Sequence, residues 1–252
     1  LIRRFGFWYI QKSDWNALDI IFLVSGWQFS NYIVALQAKR MKIPYIVVPH
    51  GAYEINLWRR NRFLKGCVKP LEGFYLRKAL AIHLFFESEI EGIAKFGKID
   101  NFIFSPTGFD LEIQKKWKGN GKYIAWFGRY DLETKGVDLL LNAFAFNKDN
   151  KRTLTLVLHG KDSRDKKSEV QTMVNLLGLN KIVNVYGPVY GDDKYEFLSA
   201  AKVYVHPSRW ECHSIALLEA LSMGIPTVVS SRMHIAPTLM KNSASVVVDP
   251  YN

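Results

Sequence analysis

The sequence predicts an α/β protein made of two Rossmann-like domains on parallel sheets, and three observations lead there. Short runs rich in Val, Ile and aromatic residues recur along the chain, separated by helical stretches, as expected of parallel strands covered on both faces. The length, 252 residues, suits two domains of ordinary size or one large one. The polar stretch KKWKGNG at 115–121 interrupts the alternation and is the best candidate linker. The expected division is therefore a first domain over 1–114, a linker over 115–121 and a second domain over 122–252.

Strands are expected in the first part at 19–24, 45–48, 81–85 and 102–104. Helices are expected between them at 31–42, near 71–78 and at 88–96. The second part reads as strands at 123–127, 153–159, 182–186, 203–206, 227–230 and 245–248. Its helices are expected at 136–146, 166–177, 194–200 and 215–223. No internal repeat or low-complexity segment appears.

Composition narrows the class. Hydrophobic residues at 48% and charged residues at 23% describe a globular chain with a normal core. No apolar run approaches the ~20 residues that span a bilayer. The opening residues, LIRRFGFWYIQKSDW, lack the apolar core and cleavage site of a signal peptide. Cys67 and Cys212 lie far apart and match neither a disulfide framework nor a metal motif, which points to a reducing cytoplasm. The chain begins at Leu1, so a natural N-terminus is expected to be missing.

The net charge of +11 is unevenly spread. Residues 1–120 hold 18 Lys and Arg against 10 acids, and 121–252 hold 16 against 13. The excess is densest over 44–78, where Arg59, Arg60, Arg62, Lys65, Lys69, Arg77 and Lys78 face Glu54 and Glu72, interleaved with Tyr53, Trp58, Phe63, Phe74 and Tyr75. Such a segment suits an anionic membrane surface; a solvated helical face is the alternative. No nucleic-acid partner is expected, because the aromatics form no RNA-binding signature.

The most informative stretch is PSRWECHSIALLEALSMGIP at 207–226. It reads as a loop leaving a buried strand, then a short apolar helix closed by Gly224. Ser214 is a plausible N-cap, and the free N–H groups after it form a resting place for an anion. Glu211 in the loop and Glu219 on the helix flank that place. Amides for a phosphate and carboxylates for hydroxyl pairs would suit a ligand that is part phosphate and part polyol. On spacing alone, an ordinary amphipathic helix with one solvated and one loop glutamate fits equally well.

The run FGRYDLETKG at 127–136 closes the first strand of the second domain. Gly128 is expected to let the chain turn sharply at the strand's carboxyl end, where open parallel sheets bind ligands. Arg129 and Lys135 would then sit on one loop and neutralise a diphosphate without a metal. Two exposed basic residues in a polar loop are the alternative, and Asp131 with Glu133 resemble a metal pair only loosely. His50, in VVPHGAYE, follows a strand beside a glycine and can face a crevice; taken alone it reads as a buried, satisfied histidine. His159 and His206 also close strands but have nothing beside them in sequence. His213 lies between the two glutamates, where a donor contact is open. The chain has no GxGxxG after a strand, no GxxxxGK[ST] and no GxSxG, which disfavours dehydrogenase, phosphate-loop ATPase and hydrolase readings.

Together, FGRYDLETKG with KGVDLLLNAF, the E-x7-E of Glu211 and Glu219 running into LEALSMGIPTVVS, PYIVVPHGAYE, and FESEIEGIAKFG with FSPTGFD resemble the retaining glycosyltransferases of family 4. The resemblance covers about 19–250. It implies the GT-B fold, two Rossmann-like domains facing across a cleft, with the first domain incomplete. It also implies roles. Gly128, Arg129 and Lys135 would hold the diphosphate of a nucleotide-sugar donor, a UDP- or GDP-sugar. Glu211 would contact the donor sugar, helped by the amides of Cys212, His213, Ser214 and Ile215. Glu219 would accept from the ribose diol, and His50 would lie near the anomeric carbon. No metal or cofactor is implied.

The chain departs from the family in lacking an opening strand with a glycine-rich loop and a final helix after Asn252. It also reads SPTGFD for a more usual asparagine–glycine, and CHS where phenylalanine and glycine are common. The expected activity is sugar transfer to a glycan or lipid-linked acceptor in cell-envelope polysaccharide synthesis. The expected location is cytoplasmic, peripheral on the inner face of the plasma membrane. The alternative is a non-catalytic nucleotide-sugar-binding or partner subunit.

Overall fold

The computed structural model describes residues 2–4, 7–9, 15–59, 62–108, 116–149, 154–162 and 165–251. Arg60, Lys115, the FD of SPTGFD and the expected strand start at Thr153 lie outside them. The chain divides into two compact units, Leu1–Thr107 and Gly108–Asn252.

The first unit opens with an antiparallel pair, β1 (Ile2–Arg4) and β2 (Phe7–Tyr9), which no pattern in the sequence announced. Its main sheet holds β3 (Ile21–Val24), β4 (Tyr45–Val48), β5 (Ala81–Leu84) and β6 (Phe102–Phe104), all parallel and adjacent in chain order. Helix α1 (Phe29–Met41) follows β3 and α2 (Arg62–Lys78) follows β4. After β5 comes a single α turn, α3 (Ile90–Ile93), flanked by 3-10 turns instead of the one helix expected over 88–96.

Helix α2 begins well before the expected start near Leu71. Gly66 and Pro70 read as punctuation, yet both lie inside the helix. The lost hydrogen bond and ring clash of an interior proline cost about 3 kcal/mol. Tertiary anchoring opposes that cost: Glu72, fully buried, accepts the Trp27 backbone N–H at 3.0 Å and the hydroxyls of Tyr32 and Tyr53. Three donors satisfy a carboxylate that burial would otherwise penalise heavily.

The second unit carries a six-stranded parallel sheet in the order β12-β11-β10-β7-β8-β9. Its strands are β7 (Tyr123–Arg129), β8 (Thr155–Lys161), β9 (Val183–Tyr186), β10 (Ala201–His206), β11 (Thr227–Ser230) and β12 (Val246–Val248). Between them run α4 (Leu132–Lys135), α5 (Val137–Asn147), α6 (Lys166–Leu176), α7 (Gly191–Ser199), α8 (Ile215–Ser222) and α9 (Ala236–Lys241). Counted from β7, the sheet is doubly wound in the order 3-2-1-4-5-6, and the winding reverses between β7 and β10. Ligands of such sheets bind at the carboxyl ends of the strands at that reversal.

Adjacent residues of β7 point to opposite faces: Ala125 packs with Tyr204 and Leu217, and Trp126 with Leu141 and Leu158, every one fully buried. The expected linker is tied to this unit. Trp117 donates through its backbone to Met223 O at 2.9 Å and through Nε1 to Ala201 O at 2.7 Å. A Cβ on Gly121 would fall 2.1 Å from the Lys202 backbone nitrogen. The backbone N–H groups of Trp117 and Lys118 thus have partners in this unit, which the polarity of the segment does not show.

Candidate active site

The switch point of the second sheet is built by the chain leaving β7 and the chain leaving β10. Gly128 does not make the expected turn: β7 runs through it to Arg129, with Gly128 registered against Gly160 and Arg129 against Lys161. The turn comes after Tyr130, whose buried hydroxyl donates to Tyr186 O at 2.7 Å. There Asp131 caps α4 by accepting from Thr134 N at 3.2 Å. Asp131 is therefore occupied as a cap.

Gly136 ends α4 in the left-handed region, φ +64, and a Cβ on it would lie 2.1 Å from Pro207 O. The backbones after β7 and β10 thus approach as only glycine permits. Arg209 locks the contact. Its backbone N–H donates to Thr134 O at 2.9 Å, and Nη1 donates to Leu132 O at 2.6 Å. The same guanidinium grips Asp138 at 2.7 and 2.6 Å, a two-pronged pair with the geometry that makes Arg–carboxylate bonds strong.

This clamp delivers Lys135 to Glu211. The Lys135 ammonium donates to Glu211 Oε2, with both side chains only 15% exposed. His206 Nε2 lies 3.5 Å from the same oxygen, and the Tyr204 hydroxyl is 2.8 Å from His206 Nδ1. Burial pushes His206 below its ordinary range, against the pull of Glu211. The two ring nitrogens of His206 thus face the Tyr204 hydroxyl on one side and the Glu211 carboxylate on the other. For Glu211, burial acts to raise the pKa, but His206 and the Lys135 charge outweigh it and hold the carboxyl at about 2. Glu211 is therefore an anion throughout the neutral range. Its backbone is fixed as well: it bridges to Met233, and its carbonyl accepts from His234 N at 3.2 Å.

Ser214 caps α8 as expected, accepting from Leu217 N at 3.3 Å. The first turn of α8 leaves the amides of Ile215 and Ala216 without intrahelical acceptors. Glu219 lies on α8, buried, and accepts from Lys194 of α7 at 2.6 Å. Cys212 is buried, His213 half-buried and Ile215 exposed.

Of the expected cluster, contact joins Lys135 to Glu211. Arg129 stands exposed at the end of β7, and Glu219 has its own cation. His50 belongs to the first unit. It is exposed at the carboxyl end of β4, φ +50, with its ring edge-to-face with Phe85 at 5.1 Å, so the plain expectation of a buried histidine fails. Strand β4 is buried at every position, and in the turn that follows His50 is exposed while Pro49, Gly51 and Tyr53 are buried.

Sequence reasoning missed Lys194, Arg209 and Asp138, and it left His206 as a structural residue. A basic residue on the preceding helix was the only available signal for Lys194; Arg209, two residues before Glu211, could have been noticed for its place in the same loop. Among the described residues no three His, Cys, Asp or Glu side chains converge as metal ligands.

The architecture can be matched to solved structures. Sucrose-phosphate synthase from Thermosynechococcus elongatus superposes with a TM-score of 0.77 at 18% identity, covering 93% of this chain and 61% of that one. Anabaena Alr3699/HepE in complex with UDP gives 0.76 at 17%, covering 94% and 66%. The fold is that of the GT-B glycosyltransferases. The family model of the glycosyl transferases group 1 matches residues 109–252, more than half of the sequence, and the chain belongs to that family. Mannosylfructose-phosphate synthase of Agrobacterium fabrum is 25% identical over 97% of this chain and 60% of its own length. Lipopolysaccharide glucosyltransferase WaaG of Escherichia coli is 27% identical over 48% of this chain and 32% of its own. The chain thus spans less than two thirds of these relatives.

Proposed function

We propose that the chain carries the sugar-transferring machinery of a retaining glycosyltransferase of family 4. It would move a sugar from a nucleotide-sugar to a glycan or lipid-linked acceptor in envelope polysaccharide synthesis. The observation that carries this reading is the Lys135–Glu211 pair at the reversal point of a doubly wound sheet, inside the family-matched region. UDP bound to HepE and the lipopolysaccharide role in the name of WaaG support the donor class and the envelope setting.

In this reading Lys135 and Arg129 face the diphosphate, and the open amides at the start of α8 add donors. Breaking the sugar–phosphate bond leaves negative charge on the diphosphate, and cations held in place beforehand stabilise that charge most in the transition state. Glu211, anionic and facing Lys135 and His206, keeps acceptor sites for sugar hydroxyls, since a carboxylate has about four lone-pair sites. Glu219 does the same for the ribose diol beside Lys194. His50 keeps the acceptor-side role that the resemblance implies. The two cations take the part a divalent metal would otherwise play. Segment 44–78 would rest on an anionic membrane at the inner face of the plasma membrane.

The test is incubation with UDP- and GDP-sugars radiolabelled in the sugar, followed by release or transfer of label. Lys135→Ala should lower the rate by roughly 10²–10³. Wild-type rates in both Lys135→Ala and Glu219→Ala would remove the assignment. Tight donor binding without turnover would mark a binding subunit instead.

A further inference from the structure

We propose that the groove between α1 and α2 binds an anionic phospholipid of the bilayer, one acyl chain lying between the helices and the headgroup phosphate against three lysines. The proposal rests on the membrane-docking reading and narrows it to a site. The cavity holds about 350 Å³, within the ~300–1,000 Å³ of small-molecule sites. It lies beside Ile43, Pro44 and Tyr45, at the amino end of β4, whereas His50 follows the carboxyl end of that strand. It is therefore not part of the candidate active site.

The groove has the build of an amphiphile site. Its walls are Leu36 from α1 and Leu71 and Phe74 from α2, 52%, 44% and 43% exposed. Below them the Tyr45 and Tyr75 rings stack at 5.7 Å. Phe29 and Ile33 extend the apolar stripe of α1 at helical spacing with Leu36, and both are exposed. Lys39, Lys42 and Lys78 also line the cavity, and no acidic residue does. The Lys39 and Lys78 ammonium groups, from different helices, each lie 5.9 Å from the centre of the Phe74 ring. An apolar slot alone would not name its occupant. Two ammonium groups meeting over one ring, with Lys42 also lining the cavity and no carboxylate among its lining residues, call for an anionic head on an apolar tail.

The test is co-sedimentation of the whole chain with vesicles of phosphatidylcholine alone or mixed with phosphatidylglycerol. Binding should require phosphatidylglycerol. The pair Lys39→Glu with Lys78→Glu, and separately Leu36→Glu with Phe74→Ser, should each weaken it at least about tenfold. Arg62→Glu with Lys69→Glu, on the same basic segment but outside the groove, should weaken it less. Unchanged melting temperatures confirm that the variants fold. If the Arg62 and Lys69 pair abolishes binding and the groove variants do not, the groove is overturned and segment docking stands. If the wild type ignores phosphatidylglycerol, docking and groove fall together.

Discussion

Glu211 is a residue whose charge is set by its neighbours more than by its own chemistry. The cost of burying it is outweighed by Lys135 and His206, so it ionises near pH 2, well below the ordinary 4.5. A depressed carboxyl stabilises the fold fully above 4.5 and loses that contribution as pH falls toward 2. The buried His206 acts in the same direction by a different route. Folding lowers its pKa below 6.5, so at and below that pH the unfolded chain binds this proton more readily than the folded one. Calorimetric melting should therefore show stability falling below pH 6.5 and falling further below 4.5. Glu211→Gln should be less stable than the wild type by about 3 kcal/mol at pH 7, and the gap should close as pH approaches 2. A gap independent of pH would remove this account of the site. The pairing of Lys135 with Glu211 could not be read from the sequence, since the two are 76 positions apart and meet only through packing.

At the scale of elements, the site depends on one crossing of backbones. Gly136 and Pro207 touch, Arg209 ties the two loops together, and the short α4 places Lys135 one residue before the crossing. Gly136→Ala should be costly: alanine at φ +64 loses ~1–2 kcal/mol, and its methyl would collide with Pro207 O. Chemical denaturation should show a loss of at least about 2 kcal/mol, with nucleotide affinity reduced in the same protein. Near-normal stability would mean that the crossing is not required. Strands were the most legible elements. Strand β4 spans Tyr45–Val48 as expected, because a short Val- and Ile-rich run has few ways to be satisfied except inside a sheet. Helix α2 was less legible: Gly66 and Pro70 argued against it locally, and the buried Glu72 network overrode them.

At the scale of the whole molecule, each unit has its own buried core. Lys135, Glu211, Arg129, Glu219 and Lys194 all belong to the second unit. A fragment covering 108–252 should therefore bind a nucleoside diphosphate by calorimetry with affinity within about tenfold of the whole chain, a difference of ~1.4 kcal/mol, while transferring no sugar. Loss of binding in a folded fragment would show that the first unit contributes to the donor site.

The alternation of apolar strands and helices, the glycine at the α4–α5 junction and the two glutamates eight positions apart were present in the one-dimensional pattern. They determined an α/β chain with parallel sheets, because period and turn preference act between near neighbours. Only the tertiary structure decided that Lys135 faces Glu211, that Lys194 holds Glu219, and that Lys39 and Lys78 from two helices meet over Phe74 in an apolar groove. Those contacts join residues remote along the chain, and a side chain's partner there is chosen by which backbones can pack, a choice no local pattern records.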